Sequence, residues 1–265
     1  MNDPRPAPAS LQVRVDGPCG TIILRRPAQR NALSRELLEQ LREALEDLHR
    51  QKSVRAVVLT GAGSIFSAGT DLQEVQSAMT SDDAFQQWSA DAQRLCDLLE
   101  AMLRFPKPIL AAVNGPALGT GLSLVAACDH VVAAHEATFG APEPELGLAA
   151  GVSAPLLAFR LGAGQAASLL LGGRTISAAE AHQRGLVHEI VSFDLLWAKA
   201  HEVVSHISRG SATSLAMTKR LLNETVGETL LTQLASAAAV MAAARTTEEA
   251  REGLQAFREK RRAVW

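Results

Sequence analysis

The hydrophobic and polar positions of this chain alternate between the period of strands and the period of helices. Residues 11–15 and 21–24 are rich in β-branched side chains and flank a turn at 16–18, which predicts a hairpin. Ser34 then precedes a stretch in which leucines recur at helical spacing, so we expect an amphipathic helix capped by this serine. The leucines of its apolar face are Leu37, Leu38, Leu41 and Leu45.

Short apolar runs farther along the chain are typical of buried strands. Two of them, at 54–60 and 108–113, are separated by a helical pattern at about 82–103, and another follows at 129–134. A strand, a helix and a second strand in this order favour parallel pairing with a right-handed crossover. The sequence therefore predicts an α/β fold.

The chain beyond about residue 178 has a helical pattern, except for an apolar run at 186–191. The surplus of alanine and leucine at 231–244 exceeds what a small solvated domain should expose, which predicts contact with another subunit. We expect a disordered tail at 1–10, a core domain at 11–200 and a C-terminal helical region at 201–265.

Composition narrows the class of protein. With 265 residues, of which 47% are hydrophobic, one main domain is expected, and the net charge of -2 provides no basic field for nucleic acid or a membrane surface. No run approaches the roughly 18 apolar residues of a membrane span. The cysteines, Cys19, Cys96 and Cys128, lack CxxC spacing, so neither a disulfide framework nor a metal site is suggested. We expect a cytoplasmic protein without nucleic-acid or membrane partners.

Two glycine-rich turns, within 59–72 and 112–121, carry the candidate chemistry. A single turn of this kind is usually only a connection between elements, and neither has a complete dinucleotide or phosphate-loop motif. Both turns, however, follow predicted strands at their carboxyl ends, and the second opens a helix whose N-terminus favours negative charge. Together they are suited to direct backbone N–H groups at one anionic oxygen, such as that of an enolate.

Motifs spread in order over nearly the whole chain resemble the crotonase (enoyl-CoA hydratase/isomerase) superfamily. They are LRRPAQRNAL at 24–33, FSAGTDL at 66–72, AVNGPALGTG at 112–121, CD at 128–129, FG at 139–140 with Glu143 and Gly147, GLV at 185–187 and EGLQAFREK at 252–260. The resemblance implies a crotonase (ClpP/crotonase-like) spiral fold of stacked ββα units, with a C-terminal helical region that mediates trimerisation. It also implies enolate chemistry on an acyl-CoA thioester by a homotrimer or a hexamer.

The resemblance assigns roles to residues of both turns. The backbone N–H groups of Thr70 and Thr120 would hold the thioester oxygen, although the family usually has glycine where Thr120 stands. No cofactor is implied beyond the coenzyme A portion of the substrate. Phe257 and Lys260 would reach coenzyme A from a neighbouring subunit. The residues expected to contact coenzyme A are Ala28, Arg30, Ala68, Asp71, Leu72, Phe257 and Lys260.

Acid/base chemistry is assigned to one carboxyl group. Family hydratases use two glutamates, and this chain has Ser123 at the first position and Glu143 at the second. Glu143 would shuttle the proton, Ser123 would position water or substrate, and Glu145 competes for the role of base.

The reaction type stays open at the level of the sequence. One glutamate resembles the enoyl-CoA isomerases. Serine with glutamate resembles the hydratase-lyases, which also use a tyrosine that this chain lacks. A thioester hydrolase of the same superfamily is a further candidate, as is a non-catalytic relative that binds coenzyme A or RNA.

Overall fold

Nine strands are present in the described residues, 10–225 and 228–265, of the computed structural model. They form one sheet of six strands and one of three. In chain order they are β1 (Leu11–Asp16), β2 (Cys19–Leu24), β3 (Ala56–Gly61), β4 (Ile109–Val113), β5 (Ala117–Leu118), β6 (His130–Ala134), β7 (Thr138–Gly140), β8 (Thr175–Ser177) and β9 (Glu189–Val191).

The helices lie between and after these strands. In chain order they are α1 (Arg35–Arg50), α2 (Leu72–Ala78), α3 (Ala84–Arg104), α4 (Thr120–Ala127), α5 (Ser153–Leu161), α6 (Ala163–Leu170), α7 (Ala178–Gln183), α8 (Leu196–Ile207), α9 (Ala212–Arg220), α10 (Glu228–Ala244) and α11 (Glu248–Glu259). Short 3-10 turns occur at Pro27–Gln29, Glu143–Leu146 and Phe193–Leu195, and a π turn at Leu221–Thr225.

The larger sheet has the order β1-β2-β3-β4-β6-β9. The hairpin prediction is confirmed, since β1 and β2 pair antiparallel, and the remaining neighbours pair in parallel as the strand and helix order predicts. Ser34 caps α1 as expected, because its side chain accepts a hydrogen bond from the Leu37 N–H. The smaller sheet, β5-β7-β8, has strands of two or three residues that the apolar pattern did not predict.

Helices cover both faces of the larger sheet, since successive strand residues point to opposite sides. One face packs against α8, and the other belongs to the main core with α1, α3 and α4. The α8 face comprises Val58, Leu110, Ala112 and Val132 beneath Leu196, Ala200 and Val204. The opposite face includes Val57, Leu59, Ala111, Val113 and Val131.

The expected domain boundary between residues 200 and 201 falls inside α8 (Leu196–Ile207). This helix buries one side on the sheet over its whole length, and the division into a core domain and a C-terminal region stays a prediction. Residues 1–9 of the expected tail lie outside the described residues, whereas Ser10 is described and its carbonyl accepts from the Arg25 N–H at 2.8 Å.

The apolar C-terminal segment packs largely within its own chain. Leu230, Leu234, Ala238 and Met241 of α10 are buried in the main core, where the helix contacts α3 and α5. Val240 on the opposite face is 57% exposed. Much of the surplus that predicted a subunit contact therefore completes the monomer core, and trimerisation stays a prediction. In the described part of the chain, no helix has the length and apolar character needed to cross a membrane.

Candidate active site

The two glycine-rich turns meet because β3 and β4 are adjacent parallel strands. Thr60 pairs with Ala112, so both strands end at the same edge of the sheet. The Asn114 side chain then joins the turns: its Oδ1 accepts from the Gly61 N–H at 3.1 Å, and its Nδ2 donates to the Gly63 carbonyl at 2.8 Å. The first turn is thus fixed to the second by a buried amide.

The first turn is also held from the other side by Asn31, which is fully buried and has a positive φ of 52°. Its Nδ2 donates to the carbonyls of Ala62 at 2.9 Å and Ile65 at 2.7 Å. The Ser67 hydroxyl donates to the Asn31 carbonyl and accepts from the Gly69 N–H. These contacts rigidify the backbone that leads into Thr70, as preorganised donors require.

Thr70 and Thr120 lie side by side where the turns converge, with their hydroxyl oxygens 3.0 Å apart in a hydrogen bond. Neither backbone N–H donates to an acceptor within residues 10–225 and 228–265. Thr120 is the first residue of α4, where N–H groups have no partner inside the helix and the helix dipole favours an anion. The Thr120 side chain therefore joins the two turns through its hydrogen bond to Thr70.

Glu143 begins the 3-10 turn that follows β7, and it faces the same chamber as the two threonines. Its Oε2 is buried and has no hydrogen-bond partner in the described part of the chain. Because burial disfavours the charged form, the pKa of Glu143 is raised to about 7. An unpaired carboxyl group that titrates near neutrality is suited to proton transfer.

Gly119 brings the α4 turn against this carboxyl group. Its φ is +54°, and a Cβ at this position would lie 3.2 Å from Glu143 Oε1. A side chain here would strain the backbone and press on the carboxylate. Glycine at 119 is thus required both by the turn and by the space that Glu143 occupies.

The chamber has a volume of about 60 Å³ and is lined by Thr70, Thr120, Glu143, Met241 and Arg245 among others. Leucine and alanine residues form most of the remaining wall, so the chamber is mostly apolar with a few polar groups. Such a chamber can place a reacting carbon beside the Glu143 carboxyl while an oxygen lies near the two N–H groups. No group of three or more potential metal ligands occurs among the residues that the structure describes.

Ser123 does not line this chamber. It is fully buried on α4, and its hydroxyl is 2.7 Å from that of Ser153, which does line the chamber. Ser123 therefore reaches the chamber through Ser153, and its predicted role in positioning water or substrate stays a prediction. Sequence reasoning missed Ser153, because an isolated serine at the start of a helix gives no signal of a site.

Glu145 points away from the chamber. A 3-10 turn has about three residues per turn, so residues two apart face different directions. Glu145 is exposed, and its side chain lies beside Gly173. Of the two competing carboxyl groups, only Glu143 faces the threonines, in agreement with the choice made from the motif.

The residues expected to contact coenzyme A line one open cleft of about 690 Å³. The cleft shares Ala68, Thr70 and Leu72 with the chamber, so the two are neighbours. Arg258, which the sequence interpretation did not include, also lines the cleft. The predicted residues that line it are Ala28, Arg30, Ala68, Asp71, Leu72, Phe257 and Lys260.

Asp71 has a structural role visible in its contacts. It is buried, accepts from Arg26 Nη1 at 2.9 Å and caps α2 by accepting from the Gln73 N–H at 3.1 Å. Arg26 also donates to the Ala32 carbonyl at 2.6 Å. The carboxylate of Asp71 thus fixes the turn directly after Thr70.

Phe257 and Lys260 line the cleft of their own chain, where the sequence interpretation expected a neighbouring subunit. They reach the cleft of their own chain because α11 folds back onto the turn that carries Glu143. A Cβ on Gly253 would lie only 2.2 Å from the Leu146 carbonyl oxygen, so backbone packs directly on backbone. This close approach brings the end of α11 to the cleft of its own chain.

Comparison with known proteins places these features in a family. Residues 17–265 match the model of the enoyl-CoA hydratase/isomerase family. The chain is 36% identical to a protein of Mycobacterium leprae named a probable enoyl-CoA hydratase, over 91% of this chain and 92% of the relative. It superposes on the crystal structure of an enoyl-CoA hydratase from Mycobacterium avium with a TM-score of 0.86 at 31% identity, covering 97% of this chain and 99% of that one. An enoyl-CoA hydratase/isomerase structure from Xanthobacter autotrophicus Py2 gives a TM-score of 0.86 at 28% identity, covering 95% and 93%.

Proposed function

Since the chain belongs to the enoyl-CoA hydratase/isomerase family, we propose that it hydrates or isomerises an enoyl-CoA thioester through an enolate, with Glu143 as the single acid/base group. The observation that carries the proposal is the unpaired Glu143 carboxyl in the same chamber as Thr70 and Thr120, whose backbone N–H groups have no acceptor in the described residues. An anion site and a proton-transfer group in one apolar chamber are what enolate chemistry requires.

The cleft supports binding of the coenzyme A portion. Arg30, Arg258 and Lys260 line it, and its one acid, Asp71, is already paired with Arg26. The phosphate groups of coenzyme A would therefore meet a surplus of positive charge. Phe257, 53% exposed, offers an aromatic face at the same cleft.

The two backbone N–H groups would hold the thioester oxygen. Charge builds up on this oxygen as the enolate forms, and donors that are already fixed need no reorganisation. One such donor contributes about 2.7 to 4 kcal/mol to transition-state stabilisation in enzymes of this kind of chemistry. The hydroxyl bond between Thr70 and Thr120 supports the proposal because it fixes the two donors relative to each other.

Glu143 would move the proton. With a pKa of about 7 the group holds both forms near neutral pH, so one carboxyl group can take a proton and return it. In isomerisation, the carboxylate removes a proton from one carbon, the double bond shifts through the enolate, and the carboxylic acid returns the proton to another carbon. In hydration, the carboxylate takes a proton from water as its oxygen adds to Cβ, and the acid then protonates Cα of the enolate.

Product analysis tests the proposal. Purified protein is incubated with trans-2-enoyl-CoA and trans-3-enoyl-CoA thioesters, and hydration is read as the gain of one water by mass spectrometry. Isomerisation is read from the absorption of the conjugated thioester. We expect Glu143→Gln to lower turnover by roughly 10² to 10⁴-fold with little change in thioester affinity, because the amide cannot carry the proton.

The matched control is Glu145→Gln, which makes the same chemical change on the exposed side of the same turn. Full activity in Glu143→Gln, or an equal loss in both variants, would show that Glu143 is not the acid/base group. Release of free coenzyme A by the wild type would identify a thioester hydrolase instead. Light scattering tests the separate proposal of a homotrimer or hexamer.

A further inference from the structure

Arg245 is a buried cation without a partner. It follows α10 directly and is 3% exposed, yet its Nη1 is buried and finds no acceptor in the described part of the chain. Desolvation lowers the pKa of Arg245 to about 10, which still leaves the side chain charged at neutral pH. A buried ion that lacks compensation is costly, so a ligand that supplies a negative charge would relieve a real penalty.

The charged groups around Arg245 are already occupied. Asp91, the acid whose charge acts on Arg245, accepts from Arg35 Nε at 2.7 Å and Arg35 Nη2 at 2.8 Å, and also from Arg94 at 2.7 Å. Glu74 accepts from the Arg35 backbone N–H at 2.9 Å. Neither carboxylate is bonded to Arg245, so the guanidinium is left for something that enters from outside.

Glu143 is not the missing partner. Both residues line the chamber, but Oε2 of Glu143 is itself unbonded, and no ion pair joins the two side chains. The charges that act on Arg245 are those of Asp91 and Arg35. The carboxyl group therefore stays free for proton transfer and the guanidinium for binding.

The position of Arg245 fits the far end of an acyl chain. Together with Thr70, Thr120 and Met241 it lines the chamber, and the same four residues line a smaller cavity beyond it. An acyl chain that enters from the cleft, with its thioester oxygen at the two threonines, would pass Glu143 and extend toward Arg245. The rest of this inner wall combines apolar side chains with charged ones that already have partners within the chain. Arg35 and Arg94 pair with Asp91, Arg26 pairs with Asp71, and Glu74 accepts from the Arg35 backbone N–H. The apolar members are Leu33, Leu38, Val75 and Leu95, and the charged ones are Arg35, Asp71, Glu74 and Asp91.

We propose that Arg245 binds a carboxylate at the distal end of the acyl chain, so that the substrate is an enoyl-CoA with a second acidic group. The inference rests on the proposed function and names the substrate class of that same site. A guanidinium binds a carboxylate through two parallel charge-assisted hydrogen bonds, and it does so best where water is excluded. Burial of Arg245 supplies that exclusion, and the ligand carboxylate supplies the charge that Arg245 lacks.

Binding of unreactive, saturated thioesters tests this directly. Calorimetry compares adipyl-CoA with hexanoyl-CoA, and glutaryl-CoA with pentanoyl-CoA, so that each pair has the same number of acyl carbons and differs in one terminal carboxylate. We expect wild type to bind one of the dicarboxylic thioesters about 10 to 100-fold more tightly than its matched partner. Arg245→Met should abolish this preference, so that the two members of each pair bind with equal affinity, while Arg245→Lys should keep part of it.

The control is Arg251→Met, which removes the same charge from an exposed position on α11 outside the chamber. Equal or weaker binding of both dicarboxylic thioesters by wild type would overturn the inference while the proposed function stands. Failure of every thioester to bind would overturn the proposed function itself.

Melting of the ligand-free protein separates a binding role from a structural one. Loss of an uncompensated buried charge should leave Arg245→Met at least as stable as wild type. A lower melting temperature, or failure of this variant to fold, would show that Arg245 holds the structure together and would overturn the inference.

Discussion

Replacement of Glu143 by glutamine should stabilise the ligand-free protein above neutral pH although it removes activity. In the folded chain burial raises the pKa of this carboxyl group from its ordinary value of 4.5 to about 7. The folded state therefore binds more protons than the unfolded state between these values, and stability falls as pH rises through this window. Above about pH 7 the folded protein carries a buried, unpaired carboxylate at a cost that glutamine does not have.

The size of the effect follows from the shift. Each tenfold change in an equilibrium constant corresponds to about 1.4 kcal/mol, so the rise in pKa from 4.5 to about 7 corresponds to about 3.5 kcal/mol at most. Glu143 as a whole residue is only half-buried, and solvent reduces the cost. We therefore expect Glu143→Gln to be about 1 to 3 kcal/mol more stable than wild type at about pH 8.5, and within about 0.5 kcal/mol of it at about pH 4.5.

Urea unfolding followed by circular dichroism measures this difference at both pH values. Protein concentration is kept constant, because any assembly would make stability depend on it. An unchanged m-value would show that the shift in midpoint reports stability. Glu145→Gln serves as the control, since an exposed substitution should stay within about 0.5 kcal/mol of wild type at both pH values.

Two outcomes would refute the reasoning. If Glu143→Gln is less stable than wild type at about pH 8.5, the carboxylate makes a favourable contact in the folded protein. If its advantage is the same at both pH values, the stabilisation comes from packing and the raised pKa is wrong. Either result would also remove the main support for Glu143 as an acid/base group near neutrality.

Two further predictions concern the turns and the cleft. Gly119→Ala should abolish turnover, because the added methyl group meets the Glu143 carboxyl at a backbone position with positive φ. The control is Gly164→Ala, since nothing lies within 4 Å of a Cβ at that position. It should retain full turnover in the same product assay. Lys260→Met should weaken affinity for coenzyme A thioesters by about 3 to 10-fold at low ionic strength and less in high salt, as measured by calorimetry. Lys52→Met, exposed and outside the cleft, should have no effect, and an equal loss there would argue against a specific contact.

Local sequence patterns were sufficient to predict those helices and strands whose buried positions repeat regularly along the chain. The leucines of α1 recur at helical spacing and are buried together, and the β3 and β4 runs are apolar because both of their faces are covered. The short strands β5, β7 and β8 escaped prediction, since two or three residues contain no measurable period. They matter for the site because β5 leads into Gly119 and β7 leads toward Glu143.

The motif residues of the candidate site were found from the sequence, because their chemistry depends on backbone turns with recognisable glycines. Thr70, Thr120 and Glu143 line one chamber, and their catalytic roles stay predictions. The path of the C-terminal helix was not readable in this way. Phe257 lies over the cleft of its own chain because backbone packs on backbone at Gly253, a contact that no pattern along the chain encodes.

Sequence alone determined the α/β class and indicated the two turns, since strand and helix periods and turn glycines depend on neighbours within a few residues. Glu143 was predicted from the family resemblance instead. Only the tertiary structure decided that Ser123 is bonded to Ser153 and lies outside the chamber, and that Arg245 is buried inside it without a counterion. Periodicity states which side of a helix is buried, but not which distant group lies opposite. The free-energy cost of a buried charge is set by that opposite group. The role of a residue such as Arg245 can therefore be read only from the folded chain.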